Sequence, residues 1–299
     1  MASEKHFESI FRPGLFDGKV VLVTGGGTGI GRCTAHELAA LGASVVIGAR
    51  RPEPLARTAA EISDAGGRCH VVSLNIRDEK SVDDAIAGIV ARYGRLDGVV
   101  NNAGGQFVAP LGEMSANGWR TVIDLNLNSS FLLCNAAYRH AMKQNGGAIV
   151  NMLADIWTGH PGMGHMSAAR AGIENLSWTL AVEWAAADIR VNCVAPGAIL
   201  SSGMLTYPAA VQEQAVRDVS VTPPARLGSE SEVSAAIVFL LSPAAAFVSG
   251  ATLTIDGGQR FHKNLMLPVG KHKGTTRWDG FHLKPDLRGT PFEILDPAE

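Results

Sequence analysis

A run of glycines near the N-terminus constrains this chain more than any other feature. Thr24-Gly25-Gly26-Gly27-Thr28-Gly29-Ile30-Gly31 follows the apolar segment Lys19–Val23 and opens an amphipathic stretch, Arg32–Leu41. Strand, glycine turn and helix in that order bring backbone N–H groups and a helix N-terminus to one point, an arrangement suited to a pyrophosphate. Gly25, Gly27, Gly29 and Gly31 permit the tight turn and the close approach, with Thr28 and Ile30 between them. The spacing is GxxxGxG rather than the commoner GxGxxG. A glycine-rich loop alone would be a weak signal, but its place between a strand and a helix makes it a dinucleotide site.

The rest of the chain repeats this alternation. Ser44–Gly48, Cys69–Leu74, Gly98–Asn101, Ala148–Leu153, Arg190–Val194 and Thr252–Ile255 read as short buried strands. Ser81–Tyr93 sets Val82, Ile86, Ile89, Val90 and Tyr93 on one helical face and stops at Gly94. The pattern predicts an α/β fold, a Rossmann-type doubly wound parallel sheet in a single domain spanning 15–260. Residues 1–14 read as an N-terminal extension. Over 261–299 periodicity fades into scattered basic residues and prolines, either a docking arm or a poorly ordered tail.

Composition narrows the function. With 46% hydrophobic residues, 18% charged and a net charge of −2, the chain suits a packed enzyme and offers no electrostatic case for nucleic acid or an anionic membrane. Cys33, Cys69, Cys134 and Cys193 form no CxxC pair and no metal-ligand spacing, so no metal site is expected. No secretion signal is visible, and no stretch approaches the ~20 apolar residues that span a bilayer. Reduced thiols in a cytoplasmic protein are the expectation.

The second strand ends in Gly48-Ala49-Arg50-Arg51, without the acid that would accept both ribose hydroxyls. Arg50 and Arg51 are permanent cations with planar donors, which suit a 2′-phosphate and point to NADP(H) over NAD(H). The alternative is a pair of solvated surface arginines.

At this point the chain resembles the short-chain dehydrogenase/reductase superfamily, over about Leu15 to Arg260. The opening turn resembles that family's cofactor turn. Asn75-Ile76 stands where the family usually has an adenine-binding Asp. Asn101-Asn102-Ala103-Gly104 resembles its NNAG, with Asn102, Ala103 and Gly104 on the adenosine side. Asn126 resembles its active-site helix asparagine, and Pro196-Gly197-Ala198-Ile199 its nicotinamide-contacting PG motif. The resemblance implies seven parallel strands, and dimers or tetramers formed through long helices near Trp119–Lys143 and Ser167–Ala187.

The catalytic pattern departs from that family. Its Ser, Tyr and Lys positions are occupied by Ala154, Met166 and Arg170. Methionine donates no proton, and arginine exchanges none at neutral pH, although Arg170 can still bond ribose hydroxyls. Conjugate reduction of a thioester tolerates this loss better than carbonyl reduction, because hydrogen bonds to an enolate suffice. Asn102–Phe107, His165 with Ala168–Gly172, Glu183-Trp184 and Leu241–Ala245 resemble the trans-2-enoyl-CoA and 2,4-dienoyl-CoA reductase branch. That resemblance implies an acyl-CoA thioester substrate.

Candidate groups at the substrate are Asn126 as an enolate donor, and Asp155 or His165 as a proton source. Each has a plainer alternative: Asn126 bonding helix backbone, Asp155 capping a turn, His165 facing solvent. Ser167 reads as a helix cap. Ser201–Pro224, with Met204, Leu205, Tyr207, Val211, Val216 and Val219, is either a mobile apolar flap or ordinary helix packing. Two further function classes stay open, an alcohol–carbonyl oxidoreductase for a branched or terpenoid alcohol, and a cofactor-binding pseudoenzyme.

Overall fold

β1 (Val20–Thr24) is buried along its whole length. An unbroken VVLVT run has no polar face to offer water, so it must be covered on both sides. The computed structural model of the chain describes residues 6–219, 223–261 and 277–295, and the cover is built as follows. α1 (Gly29–Ala40), β2 (Ser44–Ala49), α2 (Pro52–Asp64), β3 (Arg68–Ser73), α3 (Glu79–Tyr93) and β4 (Gly98–Asn101) complete the first half. A long helical segment then runs through α4 (Ala116–Ile123), α5 (Ser129–Ala137) and α6 (Lys143–Asn145), joined by π-turns at Asp124–Asn128 and Tyr138–Met142. β5 (Gly147–Met152), α7 (Gly164–Glu183), β6 (Ile189–Pro196), β7 (Ile199–Leu200), α8 (Ala209–Val219), β8 (Gly228–Ser229), α9 (Glu230–Leu241) and β9 (Thr252–Ile255) follow.

Seven strands form one sheet in the order β3-β2-β1-β4-β5-β6-β9, with every neighbouring pair parallel. This is the doubly wound Rossmann-type sheet that the alternation predicts. The winding reverses between β1 and β4, and a crevice opens there at the carboxyl ends of the strands. Leu38, Ile47, Val100 and Ile237 centre the core on one face of the sheet. Leu22, Ile86, Val99 and Ile149 centre the other.

Local signals set most boundaries. Asp78 accepts the Ser81 N–H at the start of α3, and Gly94 ends that helix with φ 71°. α1 begins at Gly29 rather than Arg32, because the glycine turn itself enters the first helical turn. Ser167 lies inside α7 and does not cap it, since the N-cap residue is Met163.

The described parts of both termini pack on the same domain. Phe7 and Phe281 rings lie 5.9 Å apart, and the Glu8 N–H donates to the Gly280 carbonyl at 3.0 Å. Phe292 is fully buried. It joins Leu287, Leu200, Val219 and Leu227 in a separate apolar cluster, against which Met204, Leu205 and Val216 pack. The 277–295 segment is therefore a strap over its own domain. Residues 1–5 of the N-terminal extension, 262–276 and 296–299 of the tail, and 220–222 of the flap lie outside the described residues.

Candidate active site

A groove of about 430 Å3 occupies the crevice between the two halves of the sheet. Its floor is the glycine turn, with Gly25, Gly27, Thr28, Gly29 and Ile30 on the wall. Gly31 is not on the wall but packs beneath it. A Cβ there would come within 2.5 Å of both the Gly25 carbonyl oxygen and the Asn102 amide nitrogen, so any larger residue would push the two sides apart. Thr24 closes the same junction. Its hydroxyl accepts the N–H groups of Asn102 and Ala103 at 3.1 and 3.0 Å, and the Asn102 amide donates to the Thr24 carbonyl at 2.9 Å.

Arg50 and Arg51 are exposed on the rim of the groove, just past the end of β2. Ala103 and Gly104 line the wall with Asn102. Ile76 does so too, whereas Asn75 is exposed and its side-chain oxygen accepts the Arg77 N–H at 3.3 Å. The wall here is apolar, made by Leu74 and Ile76, and Asn75 does not reach it.

The far end differs from the sequence reading. Pro196, Gly197 and Ile199 do not line the groove. Pro196 pairs with Ile255 at the end of β6, Gly197 packs against Asp256, and Ile199 is buried beside Gly228. Their segment instead delivers Ser201 and Gly203 to the wall. Met152, Gln106 and Leu125 also line it; the motif reading gives Met152 and Leu125 no role and includes Gln106 only within Asn102–Phe107. Leu74 and Met152 stand at or just beyond strand carboxyl ends, where doubly wound sheets bind ligands, and that is the signal which could have found them.

Arg170 reaches the groove from α7 and is 7% exposed. Its Nη1 donates to the Met152 carbonyl, and its Nε is buried without a partner. A Cβ on Gly104 would sit 2.7 Å from Nη2, so only glycine leaves the guanidinium its place. Burial lowers the Arg170 pKa to about 10, and the side chain stays cationic at neutral pH. Met166 is buried in the core, one helical turn before it.

Asn126 sits in the first π-turn, a helical irregularity often found at functional sites. Its amide donates to the Gly105 carbonyl at 2.9 Å and to the Val122 carbonyl at 2.8 Å. Both amide hydrogens are therefore committed, which corrects the expectation that they point at a substrate oxygen. Asn126 is a strut holding the loop around Gly105.

His165 is fully buried rather than solvent-facing. Its Nδ1 accepts the Met166 N–H at 2.9 Å, Nε2 has no partner, and the Phe107 ring packs edge-on with centroids 4.6 Å apart. Asp155 is half-buried just past β5, and its Oδ1 is buried with no partner. Burial pushes its pKa up and the charge of Asp256 adds to the rise, while His160 and Arg260 oppose it. Beneath the site the Asn101 amide donates to Asn151 at 2.7 Å, and the Asn151 amide donates to Ser177 at 2.8 Å. This polar chain, invisible to motif matching, ties β4 to β5 and α7, although the Asn101 Oδ1 is buried without a partner.

The residues fit a nicotinamide dinucleotide. The glycine turn leaves space that side chains would fill, cations stand at one end, and a partnerless buried guanidinium N–H stands at the other. Among the described residues no helix is long and apolar enough to cross a membrane.

Comparisons with known proteins agree with this geometry. The profile of a family described as enoyl-(acyl carrier protein) reductase matches residues 25–260. A probable 2,4-dienoyl-CoA reductase of Bacillus subtilis is 37% identical over 81% of this chain and 96% of its own length. The peroxisomal 2,4-dienoyl-CoA reductase of Pongo abelii is 33% identical over 84% and 87%. Among solved structures, a citronellol catabolism dehydrogenase of Pseudomonas aeruginosa is 52% identical with a TM-score of 0.76, covering 85% of this chain and all of its own. Levodione reductase, at 30% identity and a TM-score of 0.78, shares the fold over 83% of this chain. An oxidoreductase groove, a seven-stranded parallel sheet and a profile match across most of the chain lead to one assignment: the chain belongs to the short-chain dehydrogenase/reductase family.

Proposed function

We propose that this chain is an NADPH-dependent reductase of conjugated enoyl thioesters, taking a trans-2-enoyl-CoA or a 2,4-dienoyl-CoA. The observation that carries the reading is at the groove's catalytic end. A cationic Arg170 lines it, no tyrosine hydroxyl stands one helical turn away, and Asp155, three residues after the wall residue Met152, has its pKa raised by burial and by Asp256. The names of the curated relatives support the substrate class. Bound NADPH supplies the hydride. Arg170 holds the ribose and keeps a fixed positive charge beside the carbonyl oxygen on which negative charge develops. Asn126 acts indirectly, by fixing Gly104 and Gly105 against Arg170. Asp155 holds the proton that the substrate carbon takes up, on the oxygen that lacks a protein partner.

Pairing of two or more copies through the long helices is part of this reading. Trp119, Phe131, Trp178 and Val182 leave apolar surface exposed along α4, α5 and α7, which supports it. A cytoplasmic location is likewise proposed.

The test is a turnover panel with purified protein and NADPH: a medium-chain trans-2-enoyl-CoA, a 2,4-dienoyl-CoA and simple ketones, with citronellol and NADP+ as a separate arm. Oxidation of NADPH by a thioester, with ketones and citronellol nearly inert, is the expected result. Tight NADPH binding without thioester turnover would overturn it.

A further inference from the structure

α9 opens beside the glycine turn, and its first residue is a buried carboxyl group. Ser229 and Glu232 form a reciprocal cap at the start of the helix, which leaves Glu230 at the first helical position, 7% exposed. Glu230 Oε1 accepts the Ser202 N–H at 3.3 Å. The same oxygen lies 3.8 Å from the point that a Cβ on Gly29 would occupy. Gly29 is the first residue of α1 and lines the groove, as do Ser201 and Gly203 on either side of Ser202. The Ser202 hydroxyl, 3.6 Å from that same point, is buried and has no partner. One carboxyl group thus reaches both the cofactor turn and the segment that closes against it.

Among the described residues, no cation is dedicated to Glu230. On α1, Arg32 directs its guanidinium into Glu61 with two hydrogen bonds, and Cys33 is buried, its pKa raised by burial and by Glu230 itself. From the strap, Asp279 faces Glu230 with charge of the same sign and is paired with Lys284 and Arg277. On α9 itself, Glu232 is paired with Arg226. Burial raises the Glu230 pKa to about 7; Asp279 adds to the rise, while the Ser202 N–H and Arg32 oppose it. The partial positive charge of the α1 N-terminus is about half a unit, so an ionised Glu230 and a pyrophosphate would compete for it.

We infer that Glu230 is a positioning residue for dinucleotide binding: it ties the Ser202 segment to the cofactor turn, its protonated carboxyl leaves the start of α1 to the pyrophosphate, and its ionised form opposes the pyrophosphate there. The inference rests on the reading of the groove as a nicotinamide dinucleotide site. Binding then takes up a proton, so affinity is highest at low pH and falls as pH rises through neutrality.

Fluorescence titration of the full chain with NADH tests this, because NADH lacks the 2′-phosphate that titrates near pH 6. The wild-type Kd should rise roughly tenfold between about pH 6 and about pH 9, and Glu230→Gln should hold it within about twofold. Calorimetry of the wild type near neutral pH, in buffers of different ionisation enthalpy, gives an arm independent of any variant and should show proton uptake on binding. An equal pH slope in Glu230→Gln, or no proton uptake by the wild type, overturns the role of Glu230. Failure of both NADH and NADPH to bind at any pH overturns the reading of the groove, and this inference with it.

Discussion

The Gln106 side-chain amide donates a hydrogen bond to the Tyr207 hydroxyl, joining the loop after β4 to the segment after β7. Gln106 lines the groove, and the Tyr207 segment also supplies the wall residues Ser201 and Gly203. The bridge therefore ties two segments of the groove wall to each other. A neutral hydrogen bond contributes about 1 kcal/mol, so Tyr207→Phe should speed NADPH release roughly fivefold. Gln106→Ala should do the same, and the double variant should be no worse than either. Stopped-flow displacement measures this; unchanged release in both single variants would show the bridge to be idle.

Arg50 and Arg51 decide the cofactor preference if the 2′-phosphate lies at the rim they occupy. Losing one charge-assisted hydrogen bond costs about 1.5–3 kcal/mol, a weakening of roughly tenfold or more. Arg50→Ala and Arg51→Ala should weaken NADPH by that factor and leave NADH nearly unchanged. Equal losses for both cofactors would mean that the two arginines are ordinary surface charges.

Asp155 can supply a proton only while it carries one. Burial and Asp256 raise its pKa, so kcat for a dienoyl-CoA should decline on the alkaline side of that raised value. Asp155→Asn should lower kcat by ~10²-fold or more and abolish that limb in the residual rate. His160 lowers the Asp155 pKa, so His160→Ala should move the limb to higher pH. A limb that survives in Asp155→Asn belongs to another group, and the proton then comes from elsewhere.

Glu37 gives the fold its own pH dependence. It is fully buried between the Ser9 and Ser234 hydroxyls, at 2.7 and 2.5 Å, and burial raises its pKa to about 7. The folded state therefore binds this proton more tightly than the unfolded chain does. The stabilisation is complete below the unfolded carboxyl value and is lost as pH rises through about 7, up to about 3 kcal/mol. His36 runs the other way. Burial lowers its pKa to about 4, so its contribution grows between about pH 4 and its ordinary value of 6.5, where it offsets the Glu37 decline, and it cancels when wild type and Glu37→Gln are compared at the same pH. Glu37→Gln should raise Tm relative to wild type at pH 8 by more than at pH 5. A difference independent of pH would show that Glu37 is not the titrating group.

Unbroken apolar runs separated by amphipathic stretches determined the parallel sheet, since period and length survive any tertiary context. The glycine turn determined the dinucleotide end of the groove, because a backbone approach that close admits no side chain at Gly31. The absence of Ser, Tyr and Lys at Ala154, Met166 and Arg170 is likewise a property of residue types alone. Tertiary structure decided what depends on which hydrogen bonds are already made. Asn126 has the right chemistry for a donor, yet its hydrogens are bound to Gly105 and Val122. His165 lies in a motif, yet it is buried under Phe107. Pro196, Gly197 and Ile199 match a motif, yet the wall they were expected to form belongs to Ser201 and Gly203. The tail shows no periodicity, yet Phe281 and Phe292 anchor it across long sequence separations. A residue's donors, exposure and distant partners are set only when the chain has closed, and composition and spacing carry no record of them.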